Sequence, residues 1–205
     1  MTDVRTVVFI HGAFMLAESW GPWMRRFEAR GYKCVAPAWP FLDHSVDDLQ
    51  RAPDPRFGRL GIGEIVDNYA SIIRELGEPP ILVGHSFGGL FVQMLLDRGI
   101  GAAGVAIDPA PPKGVLPGAN AVRASLPVIR GWGFWEKVRR MPFQNFQWGW
   151  VHTLSEPEQR AARGGRLERR TVDGFARLDG VLGGLGEVLR HAVASLAMSN
   201  GQVPT

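Results

Sequence analysis

Two textures alternate along the first half of the chain. Short β-branched runs bounded by Gly, Pro or charge are separated by longer stretches whose apolar residues recur at helical spacing. Arg5 to Ile10, "RTVVFI", predicts a buried parallel strand. "ESWGPWMRRFEARG" predicts a helix with Ser19 as N-cap and Gly31 ending it. Its face of Trp20, Trp23, Met24 and Phe27 is a core face. "YKCVAPAW" predicts a second strand, stopped by Pro37 and Pro40, and a Pro- and Asp-rich loop runs from Phe41 to about Leu60. "GIGEIVDNYASIIREL" predicts a helix with Ile62, Ile65, Tyr69 and Ile72 or Ile73 inward. "PPILVG" is the third strand, Phe87 to Arg98 a helix ended by Gly99, and "GVAIDP" the fourth strand, stopped by Pro109. Strands joined by helices imply an α/β fold, a parallel sheet with helices on both faces.

The pattern changes twice after that. From Ala110 the chain carries four Trp and three Phe in helical pieces broken by Gly and Pro. This predicts an aromatic-rich helical insertion over the sheet. Packing against the domain and lining a hydrophobic pocket both use such residues. From about Arg163, Gly, Arg and Ala dominate, and only "LGEVLRHAVASLAM" has the apolar spacing of an amphipathic helix. The expected division is therefore residues 1–110, 111–162 and 163–205.

Composition narrows the function classes. Formal net charge is +3, yet no dense Lys/Arg block falls on one predicted face, which argues against a nucleic-acid partner. Cys34 is the single cysteine, so no intramolecular disulfide or Cys-based zinc site can form, and its apolar strand makes it a buried structural thiol. The N-terminus, "MTDVRTVVFIHG", enters a strand without a basic n-region, a long apolar h-region or a cleavage site. No apolar segment reaches the ~20 residues that span a bilayer. A soluble cytoplasmic protein with no membrane partner is expected, and no cofactor or metal. Oligomeric state is not specified.

The candidate chemistry lies in "ILVGHSFGGLFVQMLL", Ile81 to Leu96. Gly84-His85-Ser86-Phe87-Gly88 matches G-x-S-x-G at a junction of strand and helix, the context that this motif requires. Small residues at Gly84 and Gly88 keep side chains out of the turn. Ser86 then stands at a helix N-terminus, where the dipole favours developing negative charge. A second element, "VVFIHGAF", ends a strand with His11-Gly12. Together these residues resemble the α/β-hydrolase superfamily in its lipase/esterase-like branch, from about Arg5 to Asp108. The resemblance implies a helical lid at 111–162 and an oxyanion hole from the backbone N–H groups of Ala13 and Phe87, with Phe14 an alternative to Ala13. It also implies that His11 and His85 pack and orient the turns. Relatives that cleave carbon–halogen bonds or epoxides carry Asp at the elbow. Serine favours hydrolysis of a small or medium hydrophobic ester or related acyl substrate.

The base is the unsettled part. The family order is Ser, then an acid after a later strand, then His after the last. Two further strands and their helices would need roughly 80–100 residues after an insertion of this size, whereas about 45 follow Ala161. The tail offers His191, with Glu168, Asp173, Asp179 and Glu187 as acids, and none follows a β-run. His44 and His152 read as surface or packing residues. Asp108 ends a strand and is a further acid candidate. The last strands are expected to be missing. A tail foreign to the family, as after a frameshift or truncation, competes with a natural compact variant that uses unusual partners. The corresponding alternative to a hydrolase is a catalytically inactive binding protein or truncated product of the same fold.

Overall fold

The computed structural model describes residues 4–115, 119, 122–123 and 142–163. Its centre is a parallel sheet of strands β1 (Thr6–Ile10), β2 (Lys33–Val35), β3 (Ile81–His85) and β4 (Ala103–Ile107), in the order β2-β1-β3-β4. Val7 pairs with Ile81 and Ile10 with Gly84, and β3 continues against β4 from Ile81↔Ala103 to His85↔Ile107. All five residues of β1 are buried, which explains its unbroken apolar run: both faces of the strand are covered.

Alternation along β1 assigns the two faces. Phe9 packs on Trp20 and Phe27, with ring centroids 5.1 and 5.4 Å away, under helix α1 (Gly21–Glu28). Val8 and Ile10 join Leu82 in the main core with helices α3 (Ile62–Glu75) and α4 (Phe87–Asp97). Right-handed crossovers dictate this: β1-to-β2 and β3-to-β4 run in opposite directions across the sheet, so their helices fall on opposite faces. Fully buried Tyr69, Phe91 and Leu95 anchor the α3–α4 side, at about 1.5–3 kcal/mol for an apolar side chain of this size.

The elements differ from the expected ones in four places. Ser19 does not cap α1; its hydroxyl donates to Leu16 O at 2.6 Å within a 3₁₀ turn (Ala17–Trp20), and α1 starts with Pro22 in its first turn, where a missing N–H costs nothing. β2 ends at Val35, two residues before Pro37. Ile62 is 42% exposed rather than inward, because side chains lean toward a helix's N-terminus and the first one points past it. Ile65, Val66, Tyr69, Ala70 and Ile73 form the buried stripe. The stretch between Phe41 and Leu60 holds helix α2 (Val46–Arg51), capped by the Ser45 hydroxyl accepting from Asp48 N–H at 3.2 Å, and a 3₁₀ turn (Pro55–Arg59) led by Asp54.

Gly99 ends α4 as expected. It takes φ +71°, its N–H donates to Leu96 O, and Ile100 N–H donates to Leu95 O, both at 2.9 Å. This pair of bonds is a Schellman closure, with Ile100 and Leu95 buried against each other's turn. Within the aromatic-rich segment, α5 (Phe143–Trp150) and α6 (Glu156–Arg163) form a helical pair. Gln147 Nε2 donates to Gln159 Oε1 at 2.7 Å, and the Arg160 guanidinium lies 5.3 Å from the Phe143 ring. Among the described residues, no helix is long and apolar enough to cross a membrane.

Candidate active site

Connectivity picks out one place on this sheet. The chain leaves β1 toward β2 on one side, then returns to place β3 on the other, so the loops after β1 and β3 diverge. Their carboxyl ends flank the crevice where ligands bind in open α/β sheets. His11-Gly12 follows β1 and Ser86 follows β3, which brings both motifs to that crevice.

Ser86 joins β3 to α4 at φ +56° and ψ −119°, a region that L-residues avoid. Main-chain bonds hold it there. Its N–H donates to Ile107 O at 3.0 Å, and its carbonyl accepts from Leu90 N–H at 3.1 Å and Ala110 N–H at 2.9 Å. The turn tolerates only glycine on either side. A Cβ at Gly84 would lie 2.2 Å from Gly88 O, and one at Gly88 would lie 2.0 Å from Ile10 O. Phe87 opens α4, so its N–H has no acceptor inside the helix, and no carboxylate sits in the first turn. The N-terminal dipole is thus free to favour an anion beside Ser86.

The turn after β1 lies directly against this serine. A Cβ on Gly12 would meet Ser86 Cβ at 2.9 Å and Ser86 Oγ at 3.5 Å. Ala13 and Phe87 are half-buried and pack against the main core, while Phe14 takes φ +64° as the chain bends away. His11 is buried. Its Nδ1–H donates to Gly12 O at 3.0 Å, and its Nε2 accepts from Trp39 N–H at 3.3 Å. The ring stacks on Trp39 with centroids 5.0 Å apart. Burial holds its pKa below the ordinary 6.5, against the raising effects of the Gly12 bond and of Glu18.

Asp108 follows β4 on the same sheet edge, exposed and at φ +41°. Its charge acts on His85, raising a pKa that burial lowers by more. Among the described residues, the Ser86 side chain makes no capping bond, and no hydrogen bond joins its hydroxyl to a histidine. His11 has both nitrogens engaged, His44 lies exposed 3.7 Å from Asp43, and His152 is exposed. His191, with the acids Glu168, Asp173, Asp179 and Glu187, lies outside the described residues.

Among the described residues, four non-glycine residues have positive φ: Phe14, Phe41, Ser86 and Asp108. They follow β1, β2, β3 and β4 respectively, so every strained loop leaves the same edge of the sheet. Strain of this kind gathers at functional sites. Phe41 and the Trp39–His11 link escaped the sequence reading; "PAWP" after a strand was their only trace. The loop after β2 and helix α3 also wall a cavity of about 410 Å³, with Trp39, Phe41, Asp54 and Arg56 from the loop and Asn68 from α3. The candidate site residues are not among its lining. Cys34 is half-buried and its thiol is pushed up to about 11, chiefly by burial, in keeping with a structural role.

A parallel sheet with a strained serine turn facing a His-Gly turn defines an α/β-hydrolase-type protein. The sequence matches the Alpha/beta hydrolase family over residues 7–198, and the chain belongs to that family. Among solved structures, it is similar to an extracellular alpha/beta-hydrolase from a Paenibacillus species, itself described as sharing structural and functional homology with tobacco salicylic acid binding protein 2. Identity is 20% and the TM-score 0.61, over 78% of this chain and 65% of that one. It is also similar to the thioesterase domain from the curacin biosynthetic pathway (17% identity, TM-score 0.52, 80% of this chain and 58% of that one). A third is polyneuridine aldehyde esterase (13%, TM-score 0.52, 78% and 67%). At these identities the likeness is one of fold. The chain spans less than two thirds of the length of the first two. No curated protein matches it.

Proposed function

We propose that the protein is a serine hydrolase that cleaves a small or medium hydrophobic ester, or a related acyl substrate such as a thioester. The observation that carries this reading is the placement of Ser86: positive φ, at the start of α4, with the Gly12 turn against its side chain. In this scheme Ser86 Oγ attacks the carbonyl carbon while its proton passes to solvent water or to a base outside the described residues. The backbone N–H groups of Ala13 and Phe87 hold the tetrahedral oxyanion, aided by the α4 dipole. The leaving group departs, and water releases the acyl group from Ser86. The esterase and thioesterase among the structural neighbours fit this class of chemistry. The aromatic residues of 111–162 serve as a lid that favours apolar substrates.

A second reading, an inactive α/β-hydrolase-like binding protein, is favoured by one observation: among the described residues, no histidine is hydrogen-bonded to the Ser86 hydroxyl. A fluorophosphonate probe separates the two. Covalent labelling mapped by peptide mass spectrometry to Ser86, and absent from Ser86→Ala, is the expected result. Folded protein that stays unlabelled over hours would establish the inactive reading instead.

A further inference from the structure

We propose that Asp108 is a positioning residue for Ser86, acting through its left-handed main chain and not through its carboxylate. This rests on the hydrolase reading above, and it takes Asp108 out of the acid role that its place at a strand end suggests. The register of β3 and β4 carries the inference. His85 pairs with Ile107, so Ser86 comes opposite Asp108. In a regular parallel ladder, Ser86 would then donate to residue 107 and accept from the N–H of residue 109. The first bond is present: Ser86 N–H donates to Ile107 O at 3.0 Å. The second has no regular donor, because residue 109 is a proline and has no N–H. Ala110 N–H takes its place, at 2.9 Å from Ser86 O.

The strand therefore carries one extra residue at its end, a bulge, and Asp108 at φ +41° makes the step. Aspartate tolerates this region better than most L-residues. Pro109 disfavours the right-handed helical region for the residue before it, which removes one competing conformation of Asp108. Beyond the bulge the chain is anchored. Pro109 Cβ lies 3.1 Å from where a Cβ on Gly89 would stand, and Ala110 packs against the main core. The two bonds act on the two planar peptides that flank Ser86, one through its N–H and one through its carbonyl. Fixing both planes fixes φ and ψ of Ser86, and with them the direction of its Cβ and hydroxyl. Leu90 N–H also donates to the Ser86 carbonyl, but it belongs to α4; the Ala110 bond is the one that ties this peptide to the sheet. The Asp108 carboxylate is exposed and acts on His85 through its charge.

Three substitutions separate main chain from carboxylate. Asp108→Asn and Asp108→Gly both remove the charge and keep access to positive φ; Asp108→Val removes the charge and resists positive φ. With the fluorophosphonate probe, D108N and D108G should retain most of the Ser86 labelling rate. D108V should lose on the order of 10-fold to 100-fold, as a misplaced reacting group does. With p-nitrophenyl butyrate the D108V loss should fall on kcat, with KM little changed. Losses in D108N and D108G as large as in D108V would overturn the proposal, because the carboxylate would then be the working part. Equal rates in all four proteins would overturn it too. If D108V does not fold, Asp108→Ala is the milder form of the same test: a smaller loss that D108G does not share is expected, and no difference between the two refutes the proposal. Wild-type protein that does not label would sink the hydrolase reading instead. Amide hydrogen exchange then still decides the geometry. The Ala110 N–H should exchange as slowly in D108G as in the wild type and on the order of 10-fold faster in D108V or D108A; equal protection in all of them refutes the clamp.

Discussion

Ser86 occupies a backbone conformation that glycine would adopt at little cost, and its side chain does nothing to hold it there. A residue in such a region carries about 1–3 kcal/mol of strain. The bonds to Ile107, Leu90 and Ala110 are all main-chain bonds, so they survive any substitution at this position. Ser86→Gly should therefore remove the strain, against roughly 0.5–1 kcal/mol of extra chain entropy lost by glycine on folding. Ser86→Ala removes the hydroxyl and keeps the strain. The glycine variant is expected to be about 1 kcal/mol more stable than the alanine variant, or roughly 2–4 °C in Tm for a chain of this size. Both should abolish labelling. Paired thermal melts check this; a glycine variant less stable than the alanine variant would mean that the turn is not strained.

The elements that place this serine were legible because they rest on local pattern. The β3–α4 junction announces itself through Gly84, Gly88 and an apolar run on each side, and β1 through its unbroken apolar stretch. Helix α2 was hidden by the Pro and Asp residues around it, although Ser45 and Asp48 carry the spacing of a cap. The His11–Trp39 bond joins a side chain to a main-chain N–H 28 residues away, and no periodicity records such a pairing. The positive φ of Phe41 was equally silent, since nothing about phenylalanine favours it. Strand β4 is an edge of the sheet among the described residues. Among the described residues it pairs only with β3, and Ala103–Ile107 contains no charge and no proline. Ala106, near its end, is exposed. Uncharged edge strands pair with other chains unless something blunts them. The full chain is expected to associate as concentration rises, and Ala106→Lys to suppress this without unfolding the protein. Light scattering coupled to size exclusion measures both. A wild-type monomer at high concentration would show that the edge is covered.

At the scale of the whole molecule, the question is what takes the proton from Ser86. The four histidines of the described residues have other surroundings, which leaves His191. Two features bear on it in opposite directions. The family match runs through residue 198 and so takes in His191. Yet no β-branched run precedes it, and in this family the base follows a strand that delivers it to the carboxyl edge of the sheet. The second consideration weighs more, because a general base must come within about 3 Å of the hydroxyl, and a sheet edge is what fixes position that finely. In p-nitrophenyl ester hydrolysis, Ser86→Ala should remove nearly all activity, on the order of 10³-fold or more if a complete triad operates. His191→Ala should change the rate little, leaving a slow enzyme that relies on its oxyanion donors and the α4 dipole. Members of a working triad lose activity together when removed singly. A loss on His191→Ala equal to that of Ser86→Ala would therefore identify the base, and would make the segment from Arg163 onward part of the catalytic unit.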